Sequence, residues 1–177
     1  MIELESARLR IREITADDLE IVLPVYESNP DVMQHMEGSE GEVGRYNLER
    51  WQRDWYIAQL MPGRHMLGCY LREDGEAVGF IDYLEEHDDG KPFLGQLMIH
   101  KAYQRQGLGS EAFQCLTEHF RKDYGWPLLR AWVLEENGPG LAFLQRVGFQ
   151  PIEQASGQWR LPGGLQQYIM LERSLSE

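Results

Sequence analysis

The residues whose types and spacing could do chemistry are concentrated in Gln104-Arg105-Gln106-Gly107-Leu108-Gly109-Ser110, between a run that reads as a strand and one that reads as a helix. Two glycines let a ligand approach the main chain, successive backbone N–H groups converge there, and the helix start adds the positive end of its dipole. Such a nest suits a pyrophosphate, with Arg105 supplying charge and Ser110 a hydroxyl. A tight turn without a ligand is the other reading of this stretch alone.

Two nucleotide motifs compete for the same glycines. The pattern GxxxxGK[ST] is absent, which excludes a P-loop nucleotidase. Gly107-x-Gly109-x-x-Ala112 spells the dinucleotide fingerprint, but about six residues (Lys101 to Gln106) separate it from its strand, where that motif follows at once. A block of antiparallel strands precedes it, and no acidic residue stands at a strand tip about 20 positions on to hold a ribose. Both features argue against a Rossmann site.

The rest of the chain bounds the chemistry. A length of 177 residues, 42% hydrophobic and 26% charged, describes one globular domain over 1–177 that needs no disulfide or metal staple. Cys69 and Cys115 lie far apart with no metal-ligand spacing around them, so both read as buried reduced thiols and no metal is expected. No stretch approaches the roughly 18 apolar residues of a membrane span, and the charged start MIELESARLR is unlike a signal peptide, so a cytoplasmic protein is expected. Seventeen Lys and Arg against 29 Asp and Glu give a net charge of −12, which repels nucleic acid and anionic membrane and favours a cationic partner. Residues 138–177 are neutral, so the first 137 carry the whole excess.

Hydrophobic periodicity supplies the elements that must position the loop. ARLRIREI (7–14) alternates as a half-buried strand, and Thr15 caps an acidic first turn of a helix to about Tyr26, with Pro24 kinking or shortening it. A polar loop over 37–44 leads to a helix from Tyr46 to Leu60 that puts Leu48, Trp51, Trp55 and Ile57 or Leu60 on one face. Strands His65 to Arg72 and Ala77 to Glu85 flank an Asp-Gly turn, and Phe93 to His100 is a central strand. A helix over Ser110 to Tyr124, a strand over Leu128 to Leu134, a short helix over Gly140 to Val147 ended by Gly148, and a strand pair at Gln150 to Ala155 and Gln167 to Glu172 complete the order, with Leu161-Pro162-Gly163-Gly164 as a turn between the last strands.

On Gln104-x-x-Gly107-x-Gly109 with the lead-in Lys101-Ala102-Tyr103, the chain resembles the GNAT superfamily of acyl-CoA-dependent N-acetyltransferases. Asn137 followed by Leu141-Ala142-Phe143-Leu144-Gln145-Arg146-Val147-Gly148-Phe149 is similar to that family's second motif. The opening residues 7–18 and Asn29-Pro30-Asp31-Val32-Met33 resemble the branch with ribosomal-protein N-terminal acetyltransferases, so the likeness covers nearly the whole chain. It implies a mixed α/β fold, a mostly antiparallel central sheet of about seven strands with flanking helices, splayed between strands 4 and 5.

The resemblance also implies a division of labour. Acetyl-CoA would be the acyl donor, its pantetheine arm lying in the splay against Leu97, Met98 and Ile99 and its pyrophosphate on Gln104, Arg105, Gln106, Gly107, Leu108, Gly109 and Ser110, with Asn137 and Phe143 on the far wall. The backbone N–H of Leu97 would stabilise the oxyanion formed when the amine attacks. Asn137 equally suits a helix N-cap. The family often has a Tyr seven residues beyond this Asn as general acid, and here Leu144 stands there.

Phe93 to His100 holds no carboxylate, although an amine of pKa near 10 must lose a proton before it attacks. Asp82, Glu85, His100 and Glu135 are the candidates, directly or through water, each of them also readable as a solvated strand end. Neither cysteine has a matched His, so direct transfer in a ternary complex is expected. Tyr26, His35, Met36, Trp51, Trp55 and Trp159 are the candidate acceptor residues, their aromatic rings and the acidic surface suiting a small cationic amine or a protein N-terminus. Trp51 and Trp55 also read as an i, i+4 core pair. The alternative is an acyl-CoA-binding regulatory module without turnover. A homodimer is open, the final strand being a candidate edge.

Overall fold

The computed structural model describes residues 2–32, 47–152, 156–161 and 164–176. Nine strands form one sheet: β1 (Glu3–Glu5), β2 (Leu9–Glu13), β3 (Arg64–Leu71), β4 (Ala77–Leu84), β5 (Phe93–Ile99), β6 (Leu128–Leu134), β7 (Gln150–Pro151), β8 (Gly157–Leu161) and β9 (Gly164–Ser174). Their order is β1-β2-β3-β4-β5-β6-β9-β7, with β8 also paired to β9. Every pair is antiparallel except β5 with β6. The described helices are α1 (Leu19–Glu27), α2 (Leu48–Gln59), α3 (Leu108–His119), prolonged by a π turn over Phe120–Tyr124, and α4 (Gly138–Arg146).

The mixed, mostly antiparallel sheet with flanking helices agrees with the expectation, and the splay lies between the two strands expected to part. The parallel ladder of β5 and β6 pairs only Phe93 with Arg130 and Leu94 with Ala131 before the strands diverge.

Side chains alternate between the two sheet faces and build two cores. Leu9, Ile11, Leu67, Leu94, Leu129, Ala131 and Leu171 pack with Phe113, Leu116 and Phe120 of the α3 segment and Leu144 of α4. On the other face Met66, Phe80 and Met98 pack with Val22, Val25 and Tyr26 of α1 and Trp51 of α2. Leu94 and Leu97 contact the same core although three residues apart, because the pairing with β4 shifts between Asp82 and Tyr83 and leaves Gly95 as an extra residue. This bulge lies where β5 leaves β6.

Several expectations need correction. Among the described residues there are nine strands rather than about seven, because Glu3-Leu4-Glu5 is too short and acidic to show a pattern and the partner of β9 before the turn is Gly157–Leu161. Residues 153–155 and 162–163, within the expected strand and turn, lie outside the described residues. β9 is covered by β6 on one side and by β7 and β8 on the other, so among the described strands it is interior rather than the sheet edge expected of it. α1 runs through Pro24 to Glu27. Ile57 and Leu60 are exposed rather than on the packed face of α2, and Cys115 is only partly buried, unlike Cys69.

Candidate active site

Gly107 takes φ = +82° and caps α3, which begins at Leu108. That backbone conformation is costly for a residue with a Cβ, so glycine at 107 sets the turn. Arg105 is also left-handed, at φ = +65°. The first helical hydrogen bond runs from Glu111 N–H to the Gly107 carbonyl, which leaves the N–H groups of Leu108, Gly109 and Ser110 free of helical acceptors and gathered at the positive helix end. Three unpaired N–H groups at the positive end of a helix have the geometry of a nest.

A brace from the opposite end of the chain holds the nest. The Arg8 guanidinium donates to Glu111 Oε2 at 2.7 Å and to the Gln106 carbonyl at 3.0 Å, while Arg8 N–H and the Ser6 hydroxyl both donate to Glu111 Oε1 at 2.7 Å. Partial burial pushes the Glu111 carboxyl up, but these hydrogen bonds together outweigh it and hold the group below its usual value. Glu111 is an acid in the first turn of α3, and the brace occupies its charge.

Gln104 points inward. Its Nε2 donates to the Ile99 carbonyl and to Asn29 Oδ1, both at 2.8 Å, and Asn29 Nδ2 donates to the same carbonyl at 3.1 Å. Gln106 Nε2 donates to the Ala102 carbonyl. Both glutamine side chains therefore shape the loop, and its main chain is what faces a ligand.

The Ile99 carbonyl also fixes the parity of β5. His100 N–H donates to the Val78 carbonyl, so the main chain of His100, and by alternation that of Met98, is turned toward β4. Leu97 and Ile99 then present theirs to the splay. With the Ile99 carbonyl taken by Asn29 and Gln104, the N–H of Ile99 and both main-chain groups of Leu97 are left on that edge. Met98 instead contributes its side chain to the α1 and α2 core.

α4 forms the far wall. Asn137 Oδ1 accepts from Gly140 N–H at 3.0 Å, so the carbonyl half of the amide is an N-cap and Nδ2 is the half left for a ligand. A Cβ on Gly140 would lie 2.5 Å from that Nδ2, so a larger residue there would push the Asn137 amide aside. A Cβ on Gly109 would meet Phe143 at 3.4 Å, Ile99 at 3.5 Å and Leu97 at 3.8 Å, so the helix start seats directly on the splay. Leu144 is buried in the first core.

The candidate bases differ in what their atoms already do. Asp82 is held bidentately by Arg64, Nη2 to Oδ2 at 2.6 Å and Nε to Oδ1 at 3.1 Å. Burial pushes its carboxyl above the usual range and Arg64 opposes the shift. Glu85 bonds His65 Nε2 at 2.9 Å, and the other ring nitrogen meets Glu13 at 3.3 Å. His100 Nδ1 accepts from Ala102 N–H, which leaves Nε2. Glu135 is exposed just beyond β6.

Of the acceptor candidates, Tyr26 donates to Gln96 Oε1 at 3.3 Å and lies near the Arg64–Asp82 pair, whose Asp82 is opposite Gln96. Trp51 is fully enclosed among Tyr26 and Phe80 and offers no ring face to a ligand, a correction to the expectation. Trp55 Nε1 donates to the Ile14 carbonyl and pins the turn after β2. Trp159 is 46% exposed and stands edge-on to Trp132 at 5.0 Å, with Tyr168 6.5 Å from Trp132. Because Ala131 and Val133 face the first core, Trp132 points to the opposite side of the sheet, that of α1 and α2. His35 and Met36 lie outside the described residues.

The model of the acetyltransferase (GNAT) domain family matches residues 8–150. The chain belongs to the GNAT acetyltransferase family. This GNAT chain is 29% identical over 90 residues to the spermine/spermidine N(1)-acetyltransferase of Bacillus subtilis strain 168, a match covering 48% of the chain and 58% of that relative's length. The GNAT acetyltransferase of Bacillus anthracis superposes with a TM-score of 0.77 at 18% identity, covering 99% of this chain and 100% of that one. A ribosomal L7/L12 α-N-protein acetyltransferase in complex with coenzyme A superposes with a TM-score of 0.76 at 15% identity, over 98% of both chains. At these identities the superpositions bear on the fold.

Sequence reasoning missed the brace, and it missed Arg64 and Trp132. Arg8 reads as one exposed residue of an alternating strand, and its partner Glu111 is 103 positions away. Arg64 and Trp132 carry no local motif either. Among the described residues no group of three or more His, Cys, Asp or Glu could hold a metal, and no helix is long and apolar enough to cross a membrane.

Proposed function

We propose that the chain is an N-acetyltransferase that transfers the acetyl group of acetyl-CoA to a primary amine by direct attack in a ternary complex. The observation that carries the reading is the alignment of the free main-chain edge of Leu97 and Ile99 with the nest of Gly107 to Ser110. The edge offers donors and an acceptor to an extended amide-bearing arm, and the nest suits a pyrophosphate, so the residues fit acetyl-CoA. When bound, that group supplies an activated acyl thioester.

The chain's own residues then have separable tasks. Leu97 N–H donates to an oxyanion at the splay without need of a particular side chain. Asn137 Nδ2 donates to the arm while Oδ1 keeps its helix capped. The Glu135 carboxylate is the group best able to take the amine proton, because the Asp82 oxygens are engaged by Arg64 and His100 Nδ1 accepts from Ala102 N–H, which places the proton of the neutral ring on Nε2. The acceptor side runs from Tyr26 and Gln96 toward Trp132, Trp159 and Tyr168, and a surface of net charge −12 favours a cationic amine, whether a polyamine such as those named for the B. subtilis relative or a protein N-terminus. Buried Leu144, where the family's Tyr would stand, favours a second reading, an acyl-CoA-binding module without turnover.

A thermal-shift titration with acetyl-CoA on wild type and Gly107→Glu tests the site, since a ligand at about 100 times its Kd adds about 2.7 kcal/mol of stability. A shift lost in the folded variant, followed by CoASH release with a polyamine or an N-terminal peptide, supports the enzyme. A shift without release across an amine panel leaves the binding module, and no shift in wild type overturns both.

A further inference from the structure

A groove of about 580 Å³ runs along the outer side of α3, lined by Ser110, Gln114 and Thr117 on that helix, Arg146 at the end of α4, and Arg173 and Ser176 at the end of β9. It begins at the first turn of α3 and descends away from the nest. Arg121, eleven residues beyond Ser110 and about 16 Å along the helical segment, lines its far end. Among the described residues the lining carries three arginines against one carboxylate, Glu118, in a chain whose net charge is −12.

Arg173 forms part of its wall. Its guanidinium lies 4.9 Å from the Phe113 ring centroid, and its Nε is 3.4 Å from where a Cβ on Gly148 would stand, so glycine at 148 also leaves room for it. Partial burial lowers its pKa, the mark of a cation drawn out of water. Arg146 is exposed on the opposite lip. A desolvated guanidinium facing an open, hydroxyl-bearing groove suits a phosphate, which both arginines could bind with paired hydrogen bonds.

We infer that this groove is an anion-binding site for a phosphomonoester, held by Arg146 and Arg173. The phosphate has two sources: a free phosphorylated anion, or the 3′-phosphate of a coenzyme A bound at the nest above. The first stands apart from the acetyl-CoA reading and the second rests on it.

Isothermal titration of the full chain with inorganic phosphate, coenzyme A and 3′-dephospho-coenzyme A separates them, using wild type, Arg146→Glu, Arg173→Gln, and Arg53→Glu as a control of equal charge change to Arg146→Glu on exposed α2. The groove is supported if Arg146→Glu and Arg173→Gln weaken one anion by about tenfold or more while Arg53→Glu does not. Loss of phosphate binding assigns a free anion, and loss confined to coenzyme A, with the dephospho form unchanged, assigns the coenzyme. Failure of both coenzymes to bind wild type sinks the acetyl-CoA reading and leaves the phosphate arm to decide the groove. Unchanged affinities in both groove variants, or equal weakening in Arg53→Glu, overturn the inference. Arg146 is exposed, so its variant remains informative should Arg173→Gln fail to fold.

Discussion

Gln104 Nε2 donates to the carbonyl oxygen of Ile99 at 2.8 Å, tying the start of the glycine loop to the last residue of β5. The glutamine of the motif is thus a strut, and the loop follows the strand wherever the strand goes. Gln104→Ala removes this bond and the one to nearly buried Asn29, and should cost about 1–3 kcal/mol in urea denaturation. Acetyl-CoA affinity should fall with it, because the loop loses its tie to β5.

The two glycines of the loop should respond differently to alanine. At Gly107 the +82° φ makes any Cβ strained, by about 1 kcal/mol, and Gly107→Ala should also weaken acetyl-CoA binding in calorimetry. At Gly109 the Cβ would sit at ordinary contact distance from Phe143, Ile99 and Leu97, so Gly109→Ala should leave stability in urea denaturation within about 0.5 kcal/mol of wild type while its methyl, directed into the splay, weakens acetyl-CoA binding.

Asn137 has two halves that one substitution separates. Asn137→Asp keeps an oxygen to cap α4 and adds a charge favourable at a helix N-terminus, but removes the Nδ2 donor. Melting temperature should hold while acetyl-CoA affinity falls. If affinity holds and only Asn137→Ala is impaired, by about 1 kcal/mol of stability, the residue is a cap alone.

Removing Arg64 would strand Asp82 in the sheet. Arg64→Leu should destabilise the fold by about 3 kcal/mol in chemical denaturation, and Arg64→Leu with Asp82→Leu should recover much of the loss, because the cost is that of an unpaired buried charge.

Acid stability should depend on Asp18. The Arg12 guanidinium grips its carboxylate at 2.7 Å on both oxygens, Thr15 adds two further hydrogen bonds, and the pKa is held well below the usual 3.8. A depressed folded pKa contributes stability that is full above the unfolded value and is lost as pH falls from there toward the folded pKa. Asp18→Asn should therefore be less stable than wild type at neutral pH, with the two converging below about pH 3.

The loop was legible because its signal is local: Gln104 to Ser110 carry their glycines and their helix start within a few residues. The parity of β5 was not, because the bulge at Gly95 is set by pairing with β4 rather than by any pattern in Phe93 to His100. Leu97 could be named, but that Met98 turns its main chain away could not. Trp51 and Trp55 illustrate the same limit, since one aromatic pair on one helix face fits a binding wall or a core until the opposing surface is known. Here that surface is Tyr26 and Phe80.

With two ladder pairs joining β5 to β6, the sheet behaves as two half-sheets riveted at one end. Each has its own hydrogen-bond ladders, and beyond the rivet the side chains packed under α3 and α4 keep them in step. A ligand lying along the free edge of β5 would act as mortar, turning two units that open separately into one that opens as a whole. Exchange of the Leu97 and Ile99 amides with solvent deuterium would then slow together with those of β6, reporting the occupancy of the gap through the rigidity of the protein around it.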